Sequence, residues 1–390
     1  MAFQLSRADL TVGRRLALPL AAVLATLAAF ELGLALVAPQ TSRTPRVWQH
    51  DPDLGWANRP GAAGVLVEPE LEVEIAINAA GLRGPEVSIE KPSGTRRVAL
   101  FGDSFAEGWG VAEPDTIRAR LEARLRARDS EARAEVLNFG VAGYGTDQEF
   151  LLFAKQGRRF APDVVCLLFF TNDLWDITDR EGWGGGVVVP KPRFQLRPDG
   201  TLALTGVPVP RVAAWDPPAF PGAAWLAHLG RLISSHSQVL ALVERARGAH
   251  LSPERQEAYY RRLYGAPDDG SRNAWQLVEA ILRSFAQEAR AAGARFVLVY
   301  APADLEVEPE VLLAGGVAVP GPGLDLEHPG RELGRIAAAE RLEYLDLLPV
   351  FRAAAPAESL YLREGHWNAR GHALAAQALD AFLAEPPASP

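Results

Sequence analysis

Four short segments of this chain carry residue types that together can cleave an ester: GlyAspSer at 102–104, AsnPheGlyValAlaGly at 138–143, ThrAsnAsp at 171–173 and GlyHisTrpAsn at 365–368. An alcohol attacks an ester only when a base removes its proton and donors receive the charge that develops on the carbonyl oxygen. Ser104 offers the hydroxyl and His366 the base. Gly143 lets a backbone N–H approach a substrate oxygen closely, and the Asn172 amide donates directly. Taken singly, each has an ordinary structural explanation: Ser104 as a helix cap, Gly143 in a turn, Asn172 as a strand terminator. The GlyAspSer tripeptide alone arises by chance in about one chain in ten of this length.

These side chains can meet only if the elements around them bring them together. Apolar runs at 98–102, 134–139, 163–170 and 295–301, with a weaker one at 343–346, predict strands. Helices are predicted at 114–128, 146–157 and 272–292, the last with a stripe of Trp275, Val278, Ile281, Leu282 and Phe285. Strands alternating with helices imply a parallel sheet with helices on both faces. Ligands of such sheets bind at the C-terminal strand ends, where Ser104, Gly143 and Asn172 fall. His366 precedes an amphipathic C-terminal helix that Asn368 can cap. Residues 174–270 break the alternation and read as an insertion covering the C-terminal edge of the sheet. Within it the sequence predicts a hairpin around 197–201 and helical pieces at 224–247 and 253–263. Residues 39–95 are rich in turn formers and read as a linker with an edge strand at 73–78.

The first 38 residues differ in kind. The stretch 16–38 has Glu31 as its only charge and is long enough to cross a bilayer. Its length favours an uncleaved signal anchor, a single-pass transmembrane helix, over a secretory signal peptide. Arg7, Arg14 and Arg15 precede it, which predicts a cytoplasmic tail at 1–15 and an extracytoplasmic remainder; Arg43, Arg46 and Arg59 weaken that bias. Glu31 costs a few kcal/mol at the bilayer centre and less toward one end, where it lies.

The 390 residues, 48% hydrophobic, suffice for one large α/β domain with insertions or for two ordinary domains. A net charge of -8 without a Lys/Arg-rich run argues against a nucleic-acid partner. The single cysteine, Cys166, allows no internal disulfide and reads as a buried strand residue. No Cys/His cluster has zinc-site spacing, and no GxxxxGK or GxGxxG loop follows the first strand.

The order Ser, Gly, Asn, His, each at an element end, resembles the SGNH hydrolase superfamily, also called GDSL esterases and lipases. The resemblance covers residues 96–384, interrupted by the insertion at 174–270, with 385–390 left as a tail. It implies a flavodoxin-like three-layer α/β sandwich of about five parallel strands. It also implies Ser104 as nucleophile, His366 as general base, and an oxyanion hole of the Ser104 and Gly143 N–H groups with the Asn172 side chain. No metal or organic cofactor follows from it. The family usually places an Asp two or three residues before the histidine, where this chain has Glu364 and Arg363. Residues two apart in an extended segment face one side, so Glu364 is expected to orient His366 through Nδ1. Phe170 replaces a glycine common before Thr171. His372 is expected on the surface of the last helix, and His50, His228, His236, His250 and His328 have no assigned role.

The leading expectation is therefore a membrane-anchored serine esterase acting on a small-molecule or glycan ester. An O-acyltransferase of an envelope polysaccharide would use the same residues, and a catalytically weakened binding module would keep the same fold. Trp175, Trp183, Trp215 and Trp225 in the insertion read as insertion core or as faces on which a sugar can stack.

Overall fold

A computed structural model describes residues 7–37, 42–128, 133–184, 187–212, 215, 237–240, 242, 253–309, 323–355 and 357–386. The chain divides into two compact units, one of Met1–Arg43, Val67–Glu72 and Pro217–Leu251, the other of Thr44–Leu66, Val73–Asp216 and Ser252–Pro390. In the first, α1 (Arg7–Val37) includes a 19-residue apolar span, Pro19–Val37, none of it buried. Its one charge is not left bare: Glu31 accepts from the Ser237 hydroxyl and the Val239 N–H, both at 3.1 Å, and from the Gln238 N–H.

The second unit opens with an antiparallel hairpin of β1 (Trp48–Asp51) and β2 (Gly55–Asn58); β3 (Ala63–Glu68) and β4 (Leu71–Ala76) come next along the chain. The segment expected as linker is thus structured, with Leu54, Trp56 and Leu66 fully buried. The expected edge strand at 73–78 is not part of the main sheet; β4 pairs with β3 in a sheet of two. The linker reading missed β1, β2 and β3, whose short runs carry little periodic signal, while the alternating stretch at 73–78 overlaps β4.

The main sheet holds β5 (Thr95–Gly102), β6 (Arg133–Gly140), β7 (Val164–Phe170), β12 (Arg295–Ala301) and β13 (Glu343–Asp346). Its order is β13-β12-β7-β5-β6, all pairs parallel, which is the flavodoxin-like arrangement. These are the five apolar runs read from the sequence. The chain reverses direction across the sheet after β6, so right-handed connections put α3 (Ile117–Arg128) and α4 (Thr146–Lys155) on opposite faces. α3 packs against α11 (Ala369–Ala384), and α4 against α7 (Asp269–Ala291). Under α4 and α7, Phe101, Phe139, Phe153 and Phe285 form one aromatic cluster. Cys166 is fully buried in β7, where burial pushes its thiol up to about 12.

The remaining elements are α2 (Ser104–Glu107), α5 (Asp173–Asp176), α6 (Pro253–Tyr264), α8 (Asp304–Val307), α9 (His328–Glu340) and α10 (Leu348–Ala354). The insertion contributes antiparallel pairs β8 (Glu181–Gly184) with β9 (Val187–Pro190) and β10 (Arg193–Leu196) with β11 (Leu202–Thr205). The predicted turn at 197–201 joins the second pair, and α6 covers the predicted helix at 253–263. Of the predicted helix at 224–247, all but 237–240 and 242 lie outside the described residues. Lys191, wholly buried between the two pairs, bonds Asp147 at 2.6 Å and the Asp176 carbonyl at 2.9 Å, tying the insertion to the first turns of α4 and α5.

One expectation is corrected here. His372 does not lie on the surface of α11: it is 1% exposed, and its Nδ1 accepts the Ile117 N–H at 3.3 Å. The contact with α3 turns the face of His372, Ala375, Ala376, Leu379 and Leu383 inward, at helical spacing.

Candidate active site

β5 delivers the chain to α2, a single turn whose cap is Asp103: its Oδ1 accepts the Phe105 N–H at 2.9 Å. Asp103 therefore takes the capping role open to Ser104, and the Ser104 hydroxyl is left for another partner. That partner is His366, whose Nε2 lies 2.7 Å from Ser104 Oγ. On the other side of the imidazole, Glu364 Oε2 stands 2.5 Å from Nδ1 and also accepts the His366 backbone N–H at 2.9 Å.

The loop that carries these two residues is tight. Leu362 N–H bonds the His366 carbonyl at 2.7 Å, and Asn368 caps α11 by accepting from Arg370 and Gly371 N–H. Phe105 and Trp109 flank the imidazole, with ring centroids 5.0 and 6.2 Å away. Burial works to raise the Glu364 carboxyl, but its hydrogen bond to His366 and the imidazole charge outweigh burial and hold it below the ordinary carboxylate range. Asp304, the first residue of α8, faces the same loop, with Oδ2 3.3 Å from where a Cβ on Gly365 would be. Burial, then Glu308 and Glu364, push the Asp304 carboxyl up.

The three expected donors gather at neighbouring strand ends. Ser104 heads α2, and neither its N–H nor that of Gly143 donates to a protein group among the described residues. Asn172 gives one Nδ2 hydrogen to Asp103 Oδ2 at 3.2 Å, which fixes the amide and leaves the second hydrogen available. Gly143 is required as glycine twice over. Its φ is +79°, and a Cβ there would sit 2.1 Å from the Trp183 carbonyl oxygen.

Trp183 itself is 63% exposed on the insertion arm, whereas Trp175 and Trp215 are half-buried and Trp225 lies outside the described residues. Among the described residues, no group of three or more His, Cys, Asp or Glu side chains is arranged to hold a metal ion.

Sequence reasoning missed several residues behind this group. Glu107, one turn after Ser104, is fully buried and accepts the Ala142 N–H through Oε2 at 3.0 Å. Burial pushes its carboxyl up to about 7 against the pull of Arg83. Arg83, also buried, donates to the Glu107, Gly108 and Val111 carbonyls at 3.2, 2.5 and 2.6 Å. Glu107 had a signal, an acid in the same turn as Ser104; Arg83 had none, since its partners are distant backbone carbonyls.

A hydroxyl hydrogen-bonded to an imidazole that a carboxylate orients, with unpaired N–H donors beside it, can open an ester by nucleophilic attack. A parallel sheet in this order with such a group at its C-terminal edge is the architecture of the SGNH-type hydrolases. The model of the GDSL-like lipase/acylhydrolase family matches residues 100–374, and the chain belongs to that family; it is an ester hydrolase. Similar solved structures include LAE5, an alpha/beta hydrolase from the metagenome of Lake Arreo, Spain, at 14% identity and a TM-score of 0.39, covering 74% of this chain and 95% of that one. TesA is similar at 13% identity and a TM-score of 0.38, covering 74% and 98%. Axe2, an acetylxylan esterase from Geobacillus stearothermophilus, is similar at 14% identity and 0.38, covering 75% and 96%. No curated protein matches the chain.

Proposed function

We propose that this chain cleaves carboxylic esters through an acyl-enzyme on Ser104. The observation that carries this reading is the unbroken hydrogen-bond chain from Ser104 Oγ through His366 to Glu364. In the first half-reaction His366 Nε2 takes the hydroxyl proton as Oγ attacks the ester carbonyl. The negative charge on the carbonyl oxygen is met by the Ser104 and Gly143 N–H groups and the Asn172 amide. Collapse breaks the bond to the alcohol, which leaves with the proton from His366. In the second half-reaction His366 deprotonates water, the water oxygen attacks the acyl carbon, and Ser104 departs with the proton while the carboxylic acid is released. Glu364 keeps Nδ1 protonated and stabilises the imidazolium formed in each half.

The substrate class we assign is an acyl ester on a small molecule or an envelope glycan. Its support is the exposed indole of Trp183 on the arm that packs against Gly143, since an aromatic face can stack on a sugar ring. We assign residues 16–38 as a signal anchor following a cytoplasmic tail at 1–15. Residues 39–95 follow, most of them part of the same compact unit as residues 96–216, and we place the hydrolase domain at 96–384, with its insertion at 174–270 and a tail at 385–390, outside the cytoplasm. The unburied apolar span Pro19–Val37 supports the anchor.

Full-length protein in detergent is expected to hydrolyse p-nitrophenyl acetate and to lose that activity on Ser104→Ala; equal rates for the two would defeat the reading. Protease added to intact spheroplasts should digest the hydrolase domain, and protection of that domain would reverse the assigned orientation.

A further inference from the structure

The Ala142–Gly143 peptide is held at its carbonyl by a side chain from outside the region that matches the family. Trp56, wholly buried at the start of the second unit, donates its indole N–H to the Ala142 carbonyl at 3.1 Å. We infer that Trp56 is a positioning residue for ester hydrolysis: by pinning the Ala142 carbonyl it fixes the orientation of the Gly143 N–H toward the substrate oxygen. This inference rests on the reading of Gly143 as an oxyanion donor.

The physical reason lies in the trans peptide plane, in which C=O and N–H point in opposite directions. Drawing the Ala142 carbonyl toward Trp56 turns the Gly143 N–H away from it. Were the plane to flip, a carbonyl dipole would face the developing negative charge where a donor is needed. A second contact holds the preceding peptide, on which this plane is hinged: Glu107 Oε2 accepts the Ala142 N–H at 3.0 Å. Both polar backbone atoms of Ala142 are thus taken by side chains from separate parts of the chain.

Trp56 is in turn fixed on several sides. Its ring meets Tyr144 edge-on at 5.4 Å, and the Tyr144 hydroxyl donates to the Trp56 carbonyl. The β8 strand closes over the indole so tightly that a Cβ on Gly182 or on Gly184 would lie 2.7 Å from the ring. Burial of an indole in this protein does not by itself bring an acceptor: the N–H groups of Trp48 and Trp275 are buried with no acceptor among the described residues. The bond from Trp56 to Ala142 is therefore a specific feature of this loop.

The test uses the full-length protein in detergent with Trp56 replaced by 3-benzothienylalanine, which keeps the bicyclic ring and lacks the N–H, alongside Trp56→Phe. Active sites are counted by end-point labelling with a fluorophosphonate, so that misfolded molecules do not enter kcat. The expected result is a kcat per labelled site at least tenfold lower on p-nitrophenyl acetate, with KM within about threefold of wild type. Affinity for a phenylboronic acid, which forms a tetrahedral adduct on serine, is expected to fall in parallel. A purely structural role would reduce the number of labelled sites or the melting temperature and leave kcat per site within twofold, which would overturn the inference. If Ser104→Ala is as active as wild type, the underlying reading falls and the role of Trp56 with it. If hydrolysis depends on Ser104 and the benzothienyl variant keeps its kcat, only the role of Trp56 falls.

Discussion

Glu364 holds His366 at two points, taking its backbone N–H at 2.9 Å and facing Nδ1 at 2.5 Å with the same oxygen. The longer side chain is accommodated because one carboxylate oxygen serves both donors across a tight loop. Glu364→Gln keeps the shape but removes the charge proposed to stabilise the imidazolium. A fall in kcat of about 10²–10⁴-fold is expected, with a smaller fall for Glu364→Asp. A Gln variant within threefold of wild type would remove Glu364 from the proposed triad. Since Glu364 is held below its ordinary value of 4.5, its ionised form favours folding above that pH, and the benefit is lost as pH falls through the lowered value.

Gly143→Ala is expected to damage both activity and the insertion arm. The added methyl would stand 2.1 Å from the Trp183 carbonyl oxygen, a backbone atom, on a residue with positive φ. The arm must shift or the loop must change conformation. The expected readouts are a kcat reduced by two orders of magnitude or more, on the scale of about 10²–10³ for one lost oxyanion donor, and a changed fluorescence of the exposed Trp183. Normal kinetics in this variant would show that the loop accepts a Cβ at position 143 without moving its N–H, and would defeat the argument that only glycine fits there.

Asn172→Ala removes an amide whose orientation is set by Asp103 at 3.2 Å. If that amide meets the oxyanion, kcat should fall by about 10²–10³-fold while KM changes little, because the interaction forms only as charge develops. A change confined to KM would instead assign Asn172 to ground-state binding.

Two buried groups give stability opposite pH dependences. Glu107 is raised from 4.5 to about 7, so the unfolded chain loses this proton first, and stability declines as pH rises from 4.5 to 7. The loss is about 1.4 kcal/mol per unit, or about 3 kcal/mol in all. His372 is lowered from 6.5 to about 3, by burial first and then by Arg83 and His366, so stability declines as pH falls from 6.5 toward 3. Denaturant titrations at pH 5 and pH 8 should show Glu107→Gln flattening the first slope. The same titrations at pH 4 and pH 6.5 should show His372→Gln flattening the second. An unchanged slope in either variant would reject the corresponding assignment.

Lys191→Met strands Asp147, whose buried carboxylate is paired with that ammonium at 2.6 Å. Removing one partner of a buried ion pair typically costs about 3–5 kcal/mol. A lower melting temperature is expected at neutral pH, relieved by Asp147→Asn in the same chain. No change on Lys191→Met would mean that the pair adds nothing to stability.

Much of the molecule was legible because it is written locally. An apolar run such as 163–170 or 295–301 is a strand in a doubly covered sheet whatever surrounds it, and Asn368 before an amphipathic run is a helix cap. The position of Ser104, Gly143 and Asn172 past strand ends followed from the same local patterns. Trp56 and Arg83 were not legible as part of the site, and Glu107 only by its place in the turn of Ser104. The partners of all three are backbone atoms of loops dozens of residues away, to which nothing beside Trp56 or Arg83 points. His372 was misread because the single-helix pattern did not say that α3 lies against that face.

By itself, the sequence determined the sheet, its elements and the order in which Ser, Gly, Asn and His arrive, because strand period and turn chemistry depend on neighbours along the chain. Only the tertiary structure decided that Ser104 and His366, 262 residues apart, stand 2.7 Å from each other, and that Glu364 reaches the imidazole. It also decided that the segment read as a linker supplies Trp56 to the Ala142–Gly143 peptide. Such contacts are set by how helices and hairpins pack over the strand ends, and packing depends on the shapes of distant surfaces that no local pattern encodes.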